Sequence, residues 1–216
     1  MMLSLGLLLL TLAPAPALQD AATDASAPSP PEDWLVLEAI DGRGRRPFRP
    51  DGVLQEYVVK GRAPKAGESL GGERGTHAWN AVEADDRGRV RGSIGYAYAG
   101  VELDEPAVVL AKLTGASTLI VNGRAVAGDL YGYGWGGLPV ALEAGANDVF
   151  VTGVRGGFKL AFEMPPADTP LAPAAFRHTL PQLVVGEPVE GELGLCVRNA
   201  SRDWLPSVTV EIRDAH

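Results

Sequence analysis

The sequence predicts an all-β fold, a sandwich or jelly roll, and three observations support this prediction. Glycine (27 residues) and proline (17 residues) interrupt the 216-residue chain every few positions, which favours many short strands over long helices. Beyond residue 17, no apolar pattern of helical periodicity extends over the length of a helix. Apolar runs instead recur about every ten residues with turn residues between them, which is the spacing of strands in a sandwich.

Nine segments are predicted as strands. They are residues 34–39, 55–59, 78–84, 93–98, 107–114, 117–121, 138–142, 148–152 and 158–162. Asn122-Gly123 is the clearest turn between them, because a type I′ turn needs positive φ at both central residues and Asn and Gly tolerate it best. The turn predicts that 119–121 pairs with Ala125-Val126. Gly145 and Asn147 are predicted to form the turn before the strand at 148–152.

The N-terminus predicts export. Leu3–Leu12 is an apolar run too short to span a bilayer, and Ala15-Pro16-Ala17 fits a cleavage site, so residues 1–17 are predicted to be a signal peptide. No Lys or Arg precedes the run, which departs from the usual pattern, and a buried N-terminal helix is the alternative. Residues 18–33 are rich in Ala, Ser, Pro and Asp and are predicted to be a disordered linker. The expected location is secreted, periplasmic or cell-envelope.

The C-terminal part predicts a second, incomplete unit after a sandwich over residues 34–164. Residues 165–178 form a proline-rich linker, and residues 179–216 contain strand-like runs. About 40 residues are too few for an independent sandwich. We therefore expect the start of an immunoglobulin-like module that continues in a longer protein. The alternative is that this segment packs back on the first sandwich.

Charge and cysteine content narrow the function classes. The net charge is −8 and there is no basic stripe, which argues against nucleic acid as a partner. Cys196 is the single cysteine, so no intramolecular disulfide can form.

The sequence contains no complete catalytic signature. Residues 132–137 match G-x-G-x-x-G formally, but a dinucleotide site needs a following helix, and strand-like residues follow here. Ser93 lacks the glycine two positions earlier that a nucleophile elbow has, and nothing in the sequence places His77 or His178 beside it. Asp104-Glu105 and Asp129 show no spacing typical of paired glycosidase carboxylates. We predict no catalytic residue in this chain.

The sequence also gives little indication of a metal site. Three scattered histidines and one cysteine have no ligand spacing. Asp85-Asp86 with Gly88 is typical of an acidic turn rather than of a calcium loop. We predict no metal site and no cofactor, although a structural calcium ion at a loop edge stays open.

One loop is suited to binding. Tyr131, Tyr133 and Trp135 alternate with glycine, and in an extended segment their rings would project to one side. Three interpretations are open: the rings cover the end of the sandwich core, contact a neighbouring domain, or stack on a ligand such as a sugar. Asp129, just before them, would orient a hydroxyl group or cap the turn. Trp34, Trp79 and Trp204 lie in strand-like runs and are predicted to be core residues.

The chain resembles galactose-binding-like β-sandwich (jelly-roll) modules over Trp34 to Met164. The resemblance lies in Val121-Asn122-Gly123, then a loop, then Pro139-Val140-Ala141-Leu142, and then Gly145-Ala146-Asn147 before a last core strand. Such modules stand N-terminal to secreted bacterial glycoside hydrolases and esterase- or peptidase-type hydrolases. The segment at 179–216 resembles the opening strands of an immunoglobulin-like module.

The resemblance implies a function without a catalytic residue of this chain. We expect an exported, non-catalytic accessory module of a larger bacterial hydrolase, whose partner is a hydrolase domain in the same polypeptide or complex. A free carbohydrate-binding protein that uses the aromatic loop is the alternative, and a small standalone hydrolase is the third. No membrane span is expected.

Overall fold

The computed structural model describes residues 26–40, 51–134, 137–168 and 194–209. Within them, eight strands join one antiparallel sheet and two more form a separate hairpin, so the predicted all-β class is confirmed. The predicted signal peptide lies outside the described residues, as do most of the two predicted linkers and residues 179–193 and 210–216.

The strands are numbered in chain order. They are β1 (Asp33–Leu37), β2 (Ser69–Gly72), β3 (Gly75–Ala78), β4 (Asn80–Glu83), β5 (Arg89–Val90), β6 (Tyr96–Leu103), β7 (Ala107–Val121), β8 (Arg124–Ala127), β9 (Leu138–Leu142) and β10 (Gly145–Glu163). The main sheet has the order β4-β1-β6-β10-β7-β8, while β5 pairs with β10 and β9 pairs with β7. The hairpin consists of β2 and β3.

The two longest strands, β7 and β10, build both layers of a sandwich-like fold. The first half of β10 pairs with β6 and with residues 116–121 of β7, and its second half pairs with β5 and with residues 110–114 of β7. The register shifts between Val154 and Lys159, opposite Gly115. A Cβ at Gly115 would lie 2.2 Å from the carbonyl oxygen of Gly157, so this close approach requires glycine.

Side chains from both halves of these strands meet in one apolar core. Trp34 packs edge-to-face on Phe158, with ring centroids 4.8 Å apart. The other buried members with less than 2% exposure are Val90, Ala97, Val109, Leu113, Ala116, Leu119, Leu142, Val149 and Val151. Burial of this apolar surface, at about 25 cal/mol per Å², is the main force that holds the layers together.

A second, smaller apolar cluster covers the outer face of the sheet. It contains Leu37, Ile40, Val53, Tyr57, Trp79, Ile120 and Phe150. Because side chains alternate along a strand, neighbours such as Leu119 and Ile120 enter different clusters. This cover includes Trp79, which directly follows the hairpin, and Tyr57, which lies in a short helical element.

The predicted strand at 55–59 is wrong, because this segment forms a short π-helical element, Leu54–Val59. The Asp51 carboxylate accepts hydrogen bonds from the backbone N–H groups of Val53 and Leu54, at 3.0 and 3.1 Å, and so starts the turn. Tyr57 faces the outer cluster, while Glu56 pairs with Lys60 one turn later at 2.5 Å. Six residues are too few for helical periodicity to be distinguished from alternation.

Other differences arise where glycines interrupt the pattern. The segments predicted at 107–114 and 117–121 are one strand, β7, and those at 148–152 and 158–162 are one strand, β10. Strands β2 and β5 were not predicted, nor was β3 apart from Ala78, because the predicted 78–84 corresponds to β4; β6 starts later and runs further than the predicted 93–98. The predicted strand at 138–142 matches β9.

Residues 194–209 lie against the sandwich without forming an extended strand. Arg198 donates to the carbonyl oxygen of Gly137 at 2.5 Å, and Arg202 donates to that of Leu142 at 3.2 Å. Ala200 is buried. Trp204, which we predicted to be in the core, is 82% exposed, so that prediction is wrong, whereas Trp34 and Trp79 are buried as predicted.

Among the described residues, no helix is long and apolar enough to cross a membrane.

Candidate binding site

The loop that follows β8 is tied to the middle of β7 by the backbone of Asp129. The Asp129 N–H donates to the carbonyl oxygen of Leu113 at 2.7 Å, and its own carbonyl oxygen accepts from Gly115 at 3.0 Å. Gly128 donates to Ser117 at 2.8 Å. The point where the loop begins is therefore fixed to the strand that runs through both layers.

The Asp129 side chain holds the rest of the loop. Oδ1 accepts a hydrogen bond from the backbone N–H of Tyr133 at 2.9 Å, and Oδ2 accepts from that of Gly134 at 2.7 Å. Only 1% of the residue is exposed. Asp129 was a candidate for direct ligand or domain contact, but its burial gives it a positioning role: a carboxylate that accepts from two N–H groups fixes their backbone firmly.

The two tyrosines on this loop point into solvent. Tyr131 is 60% exposed and Tyr133 is 62% exposed. Their ring centroids are 5.6 Å apart and the rings are tilted by 36° to one another. The interpretation that these rings cover the core is therefore wrong for Tyr131 and Tyr133, while Trp135 lies outside the described residues. We call Tyr131 and Tyr133 the tyrosine pair.

The tyrosine pair forms on a curled loop rather than on the extended segment considered from the sequence. Gly132 and Gly134 have φ of 71° and 80°, in the left-handed region that favours glycine. Gly132 also donates to the carbonyl oxygen of Asp129 at 3.3 Å, which closes a turn around Tyr131. The alternating glycines thus shape the backbone and bring the two rings together on one side of the turn.

Sequence reasoning missed a cation beside the tyrosine pair. The guanidinium carbon of Arg155 lies 5.4 Å from the centroid of the Tyr131 ring, within the range of a cation–π contact. Arg155 is exposed and belongs to the irregular stretch of β10 opposite Gly115. No sequence signal links it to Tyr131, because the contact depends on how β10 passes the loop.

The predicted turn residues lie at the ends of neighbouring strands; they are Asn122, Gly123, Gly145 and Asn147. Asn122 and Gly123 have φ of 48° and 78°, and β7 pairs with β8 directly across them. The Asn147 side chain is 1% exposed and makes five hydrogen bonds of 2.7–3.2 Å: its oxygen accepts from Asn122 and Glu143, and its nitrogen donates to Val101, Glu143 and Gly145. This cluster joins three strand ends.

The other acidic and histidine candidates have local structural partners or open surroundings. The Asp85 carboxylate accepts from the backbone N–H groups of Arg89 and Arg87, at 2.9 and 3.0 Å, and these hydrogen bonds lower the pKa of Asp85 below its ordinary value. His77 pairs with Glu38 at 3.3 Å in the hairpin region. Asp104 and Glu105 are exposed on the turn between β6 and β7. His178 lies outside the described residues.

The arrangement is suited to recognition. An exposed aromatic pair on a fixed loop offers stacking faces at low entropic cost, and the neighbouring arginine adds hydrogen-bond donors. Within the described ranges, no group of three or more His, Cys, Asp or Glu residues could hold a metal ion. Comparison of the chain with models of known protein families, with curated protein sequences and with solved structures found no match.

Proposed function

We propose that this chain is an exported, non-catalytic β-sandwich module of the galactose-binding-like type that accompanies a secreted hydrolase. The eight-stranded antiparallel sheet with its shared core is the frame that such a module needs. The proposal extends to the C-terminal part, where we place the opening of an immunoglobulin-like module. The fold alone carries no function, so the case depends on the loop.

The tyrosine pair is the observation that carries this proposal. Two large aromatic side chains are held in solvent by a loop whose backbone is fastened through the buried Asp129 carboxylate. A fixed aromatic surface lowers the conformational entropy cost of binding.

Carbohydrate binding by the loop is the second candidate function, and the size of the tyrosine pair favours it. An interface between two domains buries at least about 600 Å². A tyrosine side chain can bury at most about 150–250 Å², and both members of the pair are already about 40% covered. The remaining area suits one or two sugar rings better than a whole domain, although a hydrolase domain could use the pair as part of a wider contact.

Binding and activity assays test both proposals. We expect the full chain to bind at least one polysaccharide on a glycan array, and the double variant Tyr131→Ala, Tyr133→Ala to lose that binding while it keeps the wild-type circular dichroism spectrum. We expect no turnover of generic ester, peptide and glycoside substrates. Reproducible hydrolysis by the purified chain would contradict the non-catalytic proposal, and unchanged glycan binding by the double variant would contradict the role of the loop.

The accessory role is tested separately in the genome. We expect a hydrolase domain in the reading frame that includes codon 216 or in a neighbouring gene. If a hydrolase domain is found, the purified domain mixed with this chain should form a complex or share its polysaccharide substrate. A genomic neighbourhood without any hydrolase would contradict the accessory role and leave free carbohydrate binding as the function.

A further inference from the structure

Arg155 places a positive charge at the edge of the tyrosine pair. Its guanidinium carbon lies 5.4 Å from the Tyr131 ring centroid, and the residue is exposed. A guanidinium group carries five N–H donors in its plane. Because both Arg155 and the Tyr131 ring are exposed, a ligand that stacks on the ring lies within reach of these donors.

Within the described part of the chain, Arg155 lacks the carboxylate partner that some arginines have. Arg62 is paired with Glu68 at 2.6 Å, and Arg202 is paired with Glu143 at 2.5 Å. Among the described residues, Arg155 has no carboxylate within salt-bridge distance. Its charge is thus not neutralised locally, in a protein whose overall charge is −8.

From this geometry we infer that the ligand of the loop is an acidic polysaccharide, and that Arg155 recognises the carboxylates of its uronic acid units. The inference rests on the proposed carbohydrate-binding function, because it assigns the sugar class to the same loop. A sugar ring stacks on a tyrosine face while its carboxylate accepts a pair of parallel hydrogen bonds from the guanidinium group. A neutral sugar would gain the stacking and leave these donors to water.

The overall negative charge means that an acidic polysaccharide would need a specific local contact to bind. A protein of net charge −8 repels polyanions at long range, so non-specific attraction to an acidic polysaccharide is unfavourable. Binding of such a polymer therefore depends on a local cation, and Arg155 is the cation that lies against the tyrosine pair. Screening by salt should weaken this binding, since the recognised groups are exposed.

The test uses the full chain and pairs of polymers that differ only in charge. Polygalacturonate, alginate and hyaluronate are each compared with the carboxyl-reduced form of the same polymer, by affinity electrophoresis and isothermal titration calorimetry. We expect at least one acidic polymer to bind about tenfold or more tightly than its reduced form, which is the scale of one charge-assisted contact. The difference should shrink as salt is raised.

Two arginine variants make the assignment to Arg155 falsifiable. Arg155→Gln should lower affinity for the acidic polymer by about tenfold and leave affinity for the reduced form unchanged. Arg124→Gln is the matched control. Arg124 is exposed at the start of β8, and its position along β7 is about 17 Å from that of Arg155, at 3.3 Å per residue. This variant should bind the acidic polymer with wild-type affinity. Arg155→Lys keeps the charge but loses the planar guanidinium group, so its affinity for the acidic polymer should lie between those of the wild type and Arg155→Gln.

The outcomes separate this inference from the proposed function. If Tyr133→Ala abolishes binding but the acidic and reduced polymers bind equally well, the inference is overturned and carbohydrate binding stands. If only the neutral polymers bind, the inference is likewise overturned and carbohydrate binding stands. If none of the six polymers binds and the glycan array is blank, both the inference and the carbohydrate function are overturned.

Discussion

Two polar side chains, Asn147 and Asp129, are equally buried but have different roles. Each is 1% exposed and each accepts hydrogen bonds from backbone N–H groups or a neighbouring amide. Asn147 ties three strand ends together. Asp129 ties one loop to β7 and thereby fixes two exposed tyrosines.

The difference shows that burial of a polar group does not reveal its purpose. Around Asn147, two hydrogen bonds link the start of β10 to β6 and to the β7–β8 turn, and the other three close the β9–β10 turn itself, so we expect its effect to be on stability. Around Asp129, the bonds end on Tyr133 and Gly134, so its effect reaches the surface. The side chains that follow the anchored backbone decide whether an anchor is structural or functional.

The largest expected effect is that of Asn147→Ala on stability. The substitution leaves five hydrogen-bond partners without this side chain, so we expect the free energy of unfolding to fall by about 3 kcal/mol in urea titrations. Asn147→Asp should cost at least as much, because it places a buried carboxylate oxygen against the carbonyl oxygens of Val101, Glu143 and Gly145. Binding by the molecules that remain folded should not change. A loss below about 1 kcal/mol would mean that the turn holds without its anchor.

A smaller stability effect but a larger binding effect is expected for Asp129→Ala. Loss of two charge-assisted hydrogen bonds should lower the free energy of unfolding by about 2 kcal/mol and weaken polysaccharide binding by about tenfold or more, because the tyrosine pair is no longer held. Asp104→Ala, an exposed acidic control on another turn, should change neither quantity. Wild-type affinity in Asp129→Ala would remove the distinction between the two anchors.

Tyr98 is a half-buried residue next to the cluster around Asn147, and its ionisation should affect stability at high pH. Its hydroxyl donates to Asp148 at 2.8 Å, and burial together with this contact raises the pKa of Tyr98 above its ordinary value. The folded state therefore holds the proton more tightly than the unfolded state, so stability is full below pH 10 or so and falls as the pH rises further. Tyr98→Phe should cost about 1 kcal/mol at pH 7.

The same variant should also lessen the fall in melting temperature between pH 9 and 12. A part of that fall should persist, because burial raises the pKa of Tyr57 as well. If the alkaline fall is identical in wild type and Tyr98→Phe, the ionisation of Tyr98 does not contribute to the loss of stability at high pH.

The smallest effect is expected for Tyr57→Phe. The Tyr57 hydroxyl is buried in the outer cluster and, among the described residues, makes no hydrogen bond of good geometry, although Trp79 and Glu68 are near enough to influence its pKa; this contrasts with both anchors. Its removal should leave the free energy of unfolding unchanged or raise it by up to about 1 kcal/mol, as measured by urea titration. A loss of more than about 1 kcal/mol would reveal a partner for this hydroxyl.

Local chemistry made part of this fold predictable. Asn122-Gly123 identified the β7–β8 turn because the required backbone conformation selects those two residues, and the short apolar run at 138–142 identified β9. The continuity of β7 and β10 was not predictable, since Gly115 appears in the sequence as a break. In the structure it lets two backbones approach closely while pairing resumes on both sides.

The candidate site was predictable only in its local parts. The alternation of tyrosine and glycine at 131–134 drew attention to the loop, but exposure and burial are set by distant residues. Asp129 is buried because the loop docks on Leu113 and Gly115, and Arg155 reaches Tyr131 from β10. Trp204 shows the converse, since an apolar sequence context suggested burial and the side chain lies in solvent.

The most direct test compares two exposed aromatic residues in one binding experiment. Affinity for a bound polysaccharide is measured by affinity electrophoresis for wild type, Tyr133→Ala and Trp204→Ala, whose aromatic residues are 62% and 82% exposed in the wild type. We predict that Tyr133→Ala weakens binding by about tenfold or more and that Trp204→Ala leaves it unchanged. Loss of binding in Trp204→Ala with wild-type affinity in Tyr133→Ala would contradict the tyrosine pair as the binding surface.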